Sequence, residues 1–196
     1  MKKINGQPVS GIETYIDTTG GEVLKWDAST GKMVWELEGG KDYTIRWYGE
    51  RGVFAQTAAS NADRIQYITI SSTGNSIDFG NMTASNQGGN GCSNGSRGII
   101  FGGGYPSVNV IQYLTISTPG NASDFGDMIQ NNYNGGALSN GPRGVHGGGD
   151  GVDESVDIIE YITIDSTGNS TDFGNLLAAV GSGLAGFCDG SRGCFA

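Results

Sequence analysis

The chain has 196 residues, among them 36 glycines and four prolines; 16% of the residues are charged and 36% apolar. Glycine at about 18%, against roughly 7% in average proteins, costs roughly 1 kcal/mol per residue inside helices, which excludes a helical bundle, and the absence of a three-residue glycine period excludes collagen. The formal net charge is −9: residues 1–50 hold six Lys/Arg against eight Asp/Glu, residues 51–196 hold five Arg against twelve acids, and the last lysine is Lys41. That is the wrong balance for nucleic acid or an anionic membrane, both of which call for clustered cations.

Along the chain, Met1-Lys2-Lys3 is not followed by an apolar run, so no secretory signal is expected. No stretch approaches the ~20 apolar residues of a membrane span. Segments 23–26 and 33–37 flank Ala28-Ser29-Thr30-Gly31 and predict a hairpin, and all three tryptophans (Trp26, Trp35, Trp47) precede residue 50. Residues 1–38 are expected to be either closing strands of the fold beyond or a docking element.

From residue 39 the sequence repeats itself. Arg51-Gly52-Val53-Phe54, Arg97-Gly98-Ile99-Ile100 and Arg143-Gly144-Val145 open three units, and Arg192-Gly193-Cys194-Phe195 opens a fourth, at spacings of 46, 46 and 49. Each of the three then carries an alternating β-branched run (65–70, 111–116, 159–164) containing Tyr67, Tyr113 or Tyr161. A Gly-Asn turn follows, then Asp-Phe-Gly with Phe79, Phe125 or Phe173. Period two and β-branching predict strands. The stretches before the arginines (90–94, 136–140, 183–189) predict a further strand closed by an Asn-Gly or Asp-Gly turn. The expected fold is all-β, about four β-propeller blades of four antiparallel strands, in units of about 39–82, 83–128, 129–176 and a partial 177–196.

Ile99-Ile100-Phe101-Gly102-Gly103, then Tyr113 and Phe125, resembles the kelch repeat, although Gln56-Thr57 replaces the double glycine in the first unit. The wording Arg-Gly-Val-Phe and Ile-Gln-Tyr-Ile-Thr-Ile-Ser-Ser-Thr-Gly-Asn is similar to kelch-like repeats in structural proteins of tailed phages, notably of marine cyanobacteria. The resemblance implies a non-enzymatic virion structural or adhesion protein, of tail or fibre type. It implies virion localisation, with other virion proteins and a host-surface glycan or receptor as partners. A cellular kelch-type adaptor that binds a protein is the alternative, and the chain would then be soluble. The incomplete last unit leaves three readings of the blade count: N-terminal strands close it within one chain, a homo-oligomer completes it, or the chain is truncated. The first rests on Ile16-Asp17-Thr18-Thr19-Gly20-Gly21, which matches the turn at 116–121, with residues 8–28 expected to supply the outer strands.

Tempting motifs read as architecture. Asp78, Asp124 and Asp172 of Asp-Phe-Gly recur at one repeat position, so they are not a kinase magnesium motif. Arg51, Arg97, Arg143 and Arg192 are expected to pair with a neighbouring blade's acid or carbonyl, those aspartates being the natural acids. Gly102-Gly103-Gly104 and Gly147-Gly148-Gly149 lack the lysine of a phosphate loop. Asp150, Asp153, Glu154 and Asp157 form a loop read as solvated rather than calcium-binding. Cys92, Cys188 and Cys194 contain no CxxC and read as small buried apolar residues, with a 188–194 or an intermolecular disulfide the other reading. His146 takes the place of Phe54 and Ile100, so phenylalanine is expected to replace it without harm. No catalytic residue, metal site or cofactor is expected.

In an antiparallel blade, the first and third turns share one edge and the remaining loops share the other. The first set is nearly constant here, and the second set varies at 56–64, 102–110, 147–157, 82–88, 128–134 and 176–180. Loops on a rigid frame carry recognition. Tyr105, Asn131, Asn132, Tyr133, Asp150, Asp153 and Glu154 are therefore the candidate contacts.

Overall fold

A computed structural model describes residues 50–55, 63–84, 87–104 and 106–196, and before them the backbone of four short strands. Every regular element among these residues is a strand, and no helix is long and apolar enough to cross a membrane. The chain divides into two units, 1–47 and 48–196.

The first unit contains two hairpins. β1 (Lys3–Ile4) pairs with β2 (Gln7–Pro8), and β3 (Glu22–Asp27) pairs with β4 (Lys32–Leu37), with Asp27 opposite Lys32. The hairpin expected here is present as the β3–β4 pair, and residues 28–31 themselves lie outside the described residues. Residues 9–21, which carry the Thr-Thr-Gly-Gly match, lie outside the described residues.

The second unit is a series of antiparallel meanders. Sheet I contains β5 (Arg51–Ala55), β6 (Arg64–Thr69) and β7 (Ile77–Asn81). Sheet II contains β8 (Asn90–Ser93), β9 (Arg97–Phe101), β10 (Val108–Thr115) and β11 (Ser123–Asn132). Sheet III contains β12 (Gly136–Ser139), β13 (Arg143–Gly147), β14 (Ile158–Thr163) and β15 (Thr171–Asn175). β16 (Gly186–Cys188) and β17 (Gly193–Phe195) form the two-stranded sheet IV.

Local chemistry explains the repetition. The Asx residue after the first strand accepts the arginine N–H three residues on: Arg97 to Asn94 Oδ1 at 2.8 Å, Arg143 to Asn140 at 3.1 Å, Arg192 to Asp189 at 2.7 Å. Each turn is thereby pinned by its own side chain. At Asp-Phe-Gly the ladder skips one residue. Ile65 faces Gly80 and Gln66 faces Asp78, so Phe79 is the extra residue of a bulge, and Phe125 and Phe173 repeat this. The tripeptide is a β-bulge.

Strand alternation then assigns the faces. In β9, Ile100 turns towards sheet I, where it joins Leu114, Ala122, Ile65, Phe79 and Met82. Ile99 and Phe101 turn towards sheet III and join Ile111, Phe125, Met128, Ile162 and Ile164. Sheet II is thus covered on both faces, which is why three consecutive residues of β9 are buried. Phe54, in the place of Ile100, is 53% exposed.

Candidate functional site

At the constant edge, each arginine lies over the tyrosine of its own sheet, with the guanidinium carbon 4.6, 4.4 and 4.2 Å from the rings of Tyr67, Tyr113 and Tyr161. Each tyrosine meets its phenylalanine edge-on, at 5.9 to 6.1 Å. The guanidinium then crosses the seam: Arg51 Nη1 donates to the Ile116 carbonyl and Arg97 Nη1 to the Ile164 carbonyl, both at 2.8 Å. The acceptor is therefore a carbonyl of the next sheet and not Asp78 or Asp124. The Gly-Asn turn bonds back across the same seam. Asn121 Oδ1 accepts the Asn81 N–H and Asn169 Oδ1 the Asp127 N–H, both at 3.0 Å. Arg143 keeps its tyrosine but has no carbonyl acceptor among the described residues, and Arg192 is exposed. This edge is occupied in joining sheets.

The other edge carries the loops. Tyr105 lies outside the described residues. Residues 128–132, read from sequence as loop, extend β11, because Asn132 pairs with Val108. Asn132 is 2% exposed and donates through Nδ2 to the Gly148 carbonyl at 2.7 Å, and Asn131 donates to the Ser107 carbonyl at 2.9 Å. Both brace the glycine loops from behind. Tyr133 and Asp150 exchange backbone hydrogen bonds, and the Asp150 carboxylate accepts from Ser155 and Asn134. Asp153 and Glu154 are exposed, as are Val152 at 74%, Ile129 at 48% and Leu177. Asp153 and Glu154 are thus exposed acids of this edge, among exposed apolar side chains. Asp157 is held by Asn175 Nδ2 at 2.9 Å, and no three His, Cys, Asp or Glu side chains converge among the described residues.

Sequence reasoning missed Glu160, which is buried across the ladder from His146. Nδ1 of His146 is 3.3 Å from Glu160 Oε1, near enough for charge pairing but off the line of a good hydrogen bond. The imidazole stacks on Phe101 of sheet II, 5.4 Å between centroids. Oε2 of Glu160 accepts the Ser170 hydroxyl at 2.6 Å and the Ile129 N–H of sheet II at 2.9 Å. Burial pushes this carboxyl's pKa up, but the imidazole, the hydroxyl and the N–H outweigh burial and hold it below its ordinary value. The signal was in the repeat: Phe54–Gln66, Ile100–Gln112 and His146–Glu160 are the three cross-strand pairs at one position, and both members change together in sheet III.

Cys92 is half-buried, and its thiol pKa is pushed up to about 12, chiefly by desolvation and then by neighbouring Cys188. All three cysteines are free thiols; Cys188 and Cys194, expected to be buried, are exposed, because they lie on the two short strands of sheet IV. Two grooves mark the ends of the series. One of about 530 Å³ runs along β5 beside β8, and one of about 280 Å³ lies between sheets III and IV, lined by Leu138, Arg143, Ile159, Phe173, Arg192 and Phe195. No protein-family model matches the chain, and no curated protein matches it.

Proposed function

We propose that this chain is a non-enzymatic structural and adhesive component of a tailed-phage particle, a kelch-like propeller that presents one loop edge to a host glycan, a receptor or a neighbouring subunit. The observation that carries the reading is the division of labour between the edges. Repeated Arg, Tyr, Phe and Asn side chains are used up in joining sheets at one edge, whereas the other carries unrepeated loops with exposed acids and apolar side chains. Loops freed from packing are where recognition evolves on a rigid frame. Mass spectrometry of purified particles should find the chain, and Asp153→Lys with Glu154→Lys should reduce attachment while leaving the circular dichroism spectrum unchanged. A chain absent from particles but bound to a host-cell protein would favour the adaptor reading.

The ring proposed is about four blades, closed by residues 8–28 as outer strands of sheet IV. In its favour, Phe173 is 55% exposed where Phe79 and Phe125 are 3% exposed, and Arg143 lacks the carbonyl that Arg51 and Arg97 find. An unpaired edge beside such a face invites aggregation. Deleting residues 1–28 should lower the melting temperature or the solubility; an unchanged melting temperature would remove the closure.

A further inference from the structure

We propose that the seam between sheets II and III is an acid-sensitive latch in which the Glu160 carboxylate, buried with His146, holds sheet II by the Ile129 N–H, whereas the equivalent seam between sheets I and II does not respond to acid. The two seams are built alike. At the first, Gln112 Oε1 accepts the Thr83 N–H at 2.6 Å, the Thr83 hydroxyl at 2.8 Å and the Ala84 N–H at 3.4 Å. The cross-strand partner of Gln112 is Ile100, and its Nε2 has no hydrogen-bond partner. At the second, the amide has become a carboxyl and the isoleucine an imidazole, so the same reach across the seam now depends on a group that titrates.

The other charged side chains on the strands packed here are Arg97 on β9, Asp124 and Asp127 on β11, Arg143 on β13 and Asp172 on β15. They are exposed or half-buried, Asp172 opposite Glu160 in the ladder included, and none is bonded to the Glu160 carboxylate, which leaves the His146 imidazole as the titratable group against it. The folded carboxyl lies below its ordinary value of 4.5. The stabilisation is therefore complete above 4.5 and is lost as pH falls through the folded value. Protonation replaces the carboxylate that accepts two hydrogen bonds by a neutral acid and leaves the imidazole facing it. Each pH unit below the folded value weakens the latched state by about tenfold.

Hydrogen exchange on the full chain, corrected for the intrinsic pH dependence of exchange, reads the two seams in one sample. As the pH is lowered from neutral through the folded value, the Ile129 amide should lose protection relative to the Thr83 amide, by about tenfold for each pH unit below that value. His146→Ile with Glu160→Gln, which copies the pair already present at Ile100 and Gln112, should abolish the difference. Equal loss at both amides, or a difference that survives in the double variant, would overturn the latch. Should the double variant not fold, the wild-type comparison of the two amides decides alone.

Discussion

Replacing Gly126 by alanine tests how the sheets are joined. Gly126 follows the bulge residue Phe125 with φ +147°, and a Cβ there would lie 2.4 Å from the Gly168 carbonyl oxygen of sheet III and 2.5 Å from its carbonyl carbon. The conformation alone costs an L-residue about 1–3 kcal/mol. Pushing back a neighbouring backbone adds about 1–3 kcal/mol, so Gly126→Ala should lose about 2–6 kcal/mol in urea unfolding followed by circular dichroism. Gly120→Ala is the control: its Cβ meets nothing within 4 Å, and the change should stay within about 0.5 kcal/mol of neutral. Equal stability of the two variants would refute the seam geometry. Gly174 then reports closure. It has φ +136° and nothing within 4 Å among the described residues. If strands complete sheet IV as proposed, they roof Gly174 as Gly168 roofs Gly126, and Gly174→Ala costs as much as Gly126→Ala. An open edge leaves the strain of about 1–3 kcal/mol alone.

Arg97→Met removes both the ring contact with Tyr113 and the bond to the Ile164 carbonyl, and should cost about 1–3 kcal/mol in the same assay; Arg192→Met, at an exposed side chain, should be nearly neutral. Contrary to the expectation from the repeat alone, His146→Phe should destabilise by about 1–3 kcal/mol, because it leaves the buried Glu160 carboxylate without the imidazole, whereas His146→Ile with Glu160→Gln should recover most of the loss; equal losses would mean the two side chains are not coupled. Iodoacetamide at pH ~8 should label Cys188 and Cys194 in the folded protein and reach Cys92 only on unfolding, because a thiol with its pKa at about 12 stays protonated there. Mass spectrometry counting three labels on the native chain would contradict this burial.

What was legible in the sequence was local. The Asx-Gly turn before Arg97, Arg143 and Arg192 is held by its own side chain, so it could be read without tertiary information, and period two placed β6, β10 and β14. First strands expected at 90–94 and 136–140 run Asn90–Ser93 and Gly136–Ser139. What crosses between sheets was not legible. The arginine's acceptor is a main-chain carbonyl, which leaves no mark in a sequence, so the repeated aspartates looked like its partners. Asn121 and Asn169 were read as turn residues, and their side chains in fact bond the previous sheet. Residues 128–132 read as loop because they differ between repeats. They are strand because Gly102, Gly103 and Gly104, all of positive φ, turn the chain ahead of β10, where Val108 comes opposite Asn132. Asn132, read as a surface contact, is consequently inside.

The change of pair in sheet III also bears on how a repeated chain avoids joining the wrong sheets. Near-identical faces invite misassembly, the characteristic failure of repeat proteins. The trailing faces of sheets I and II carry matching aromatic pairs, Tyr67 with Phe79 and Tyr113 with Phe125. Apolar burial alone would therefore let sheet III dock on either. Glu160 and His146 separate the two outcomes. On sheet II the carboxylate has the Ile129 N–H and the imidazole has the Phe101 ring. Sheet I offers Ala55 at the position of Phe101, as the register opposite Ile65 shows. Docking there would bury the imidazole beside a carboxylate without its stacking partner, and a poorly matched buried polar group is among the costliest errors a core can contain. The polar pair adds little to the stability of the correct seam over an isoleucine and a glutamine. Its effect is on the difference between the correct seam and the wrong one.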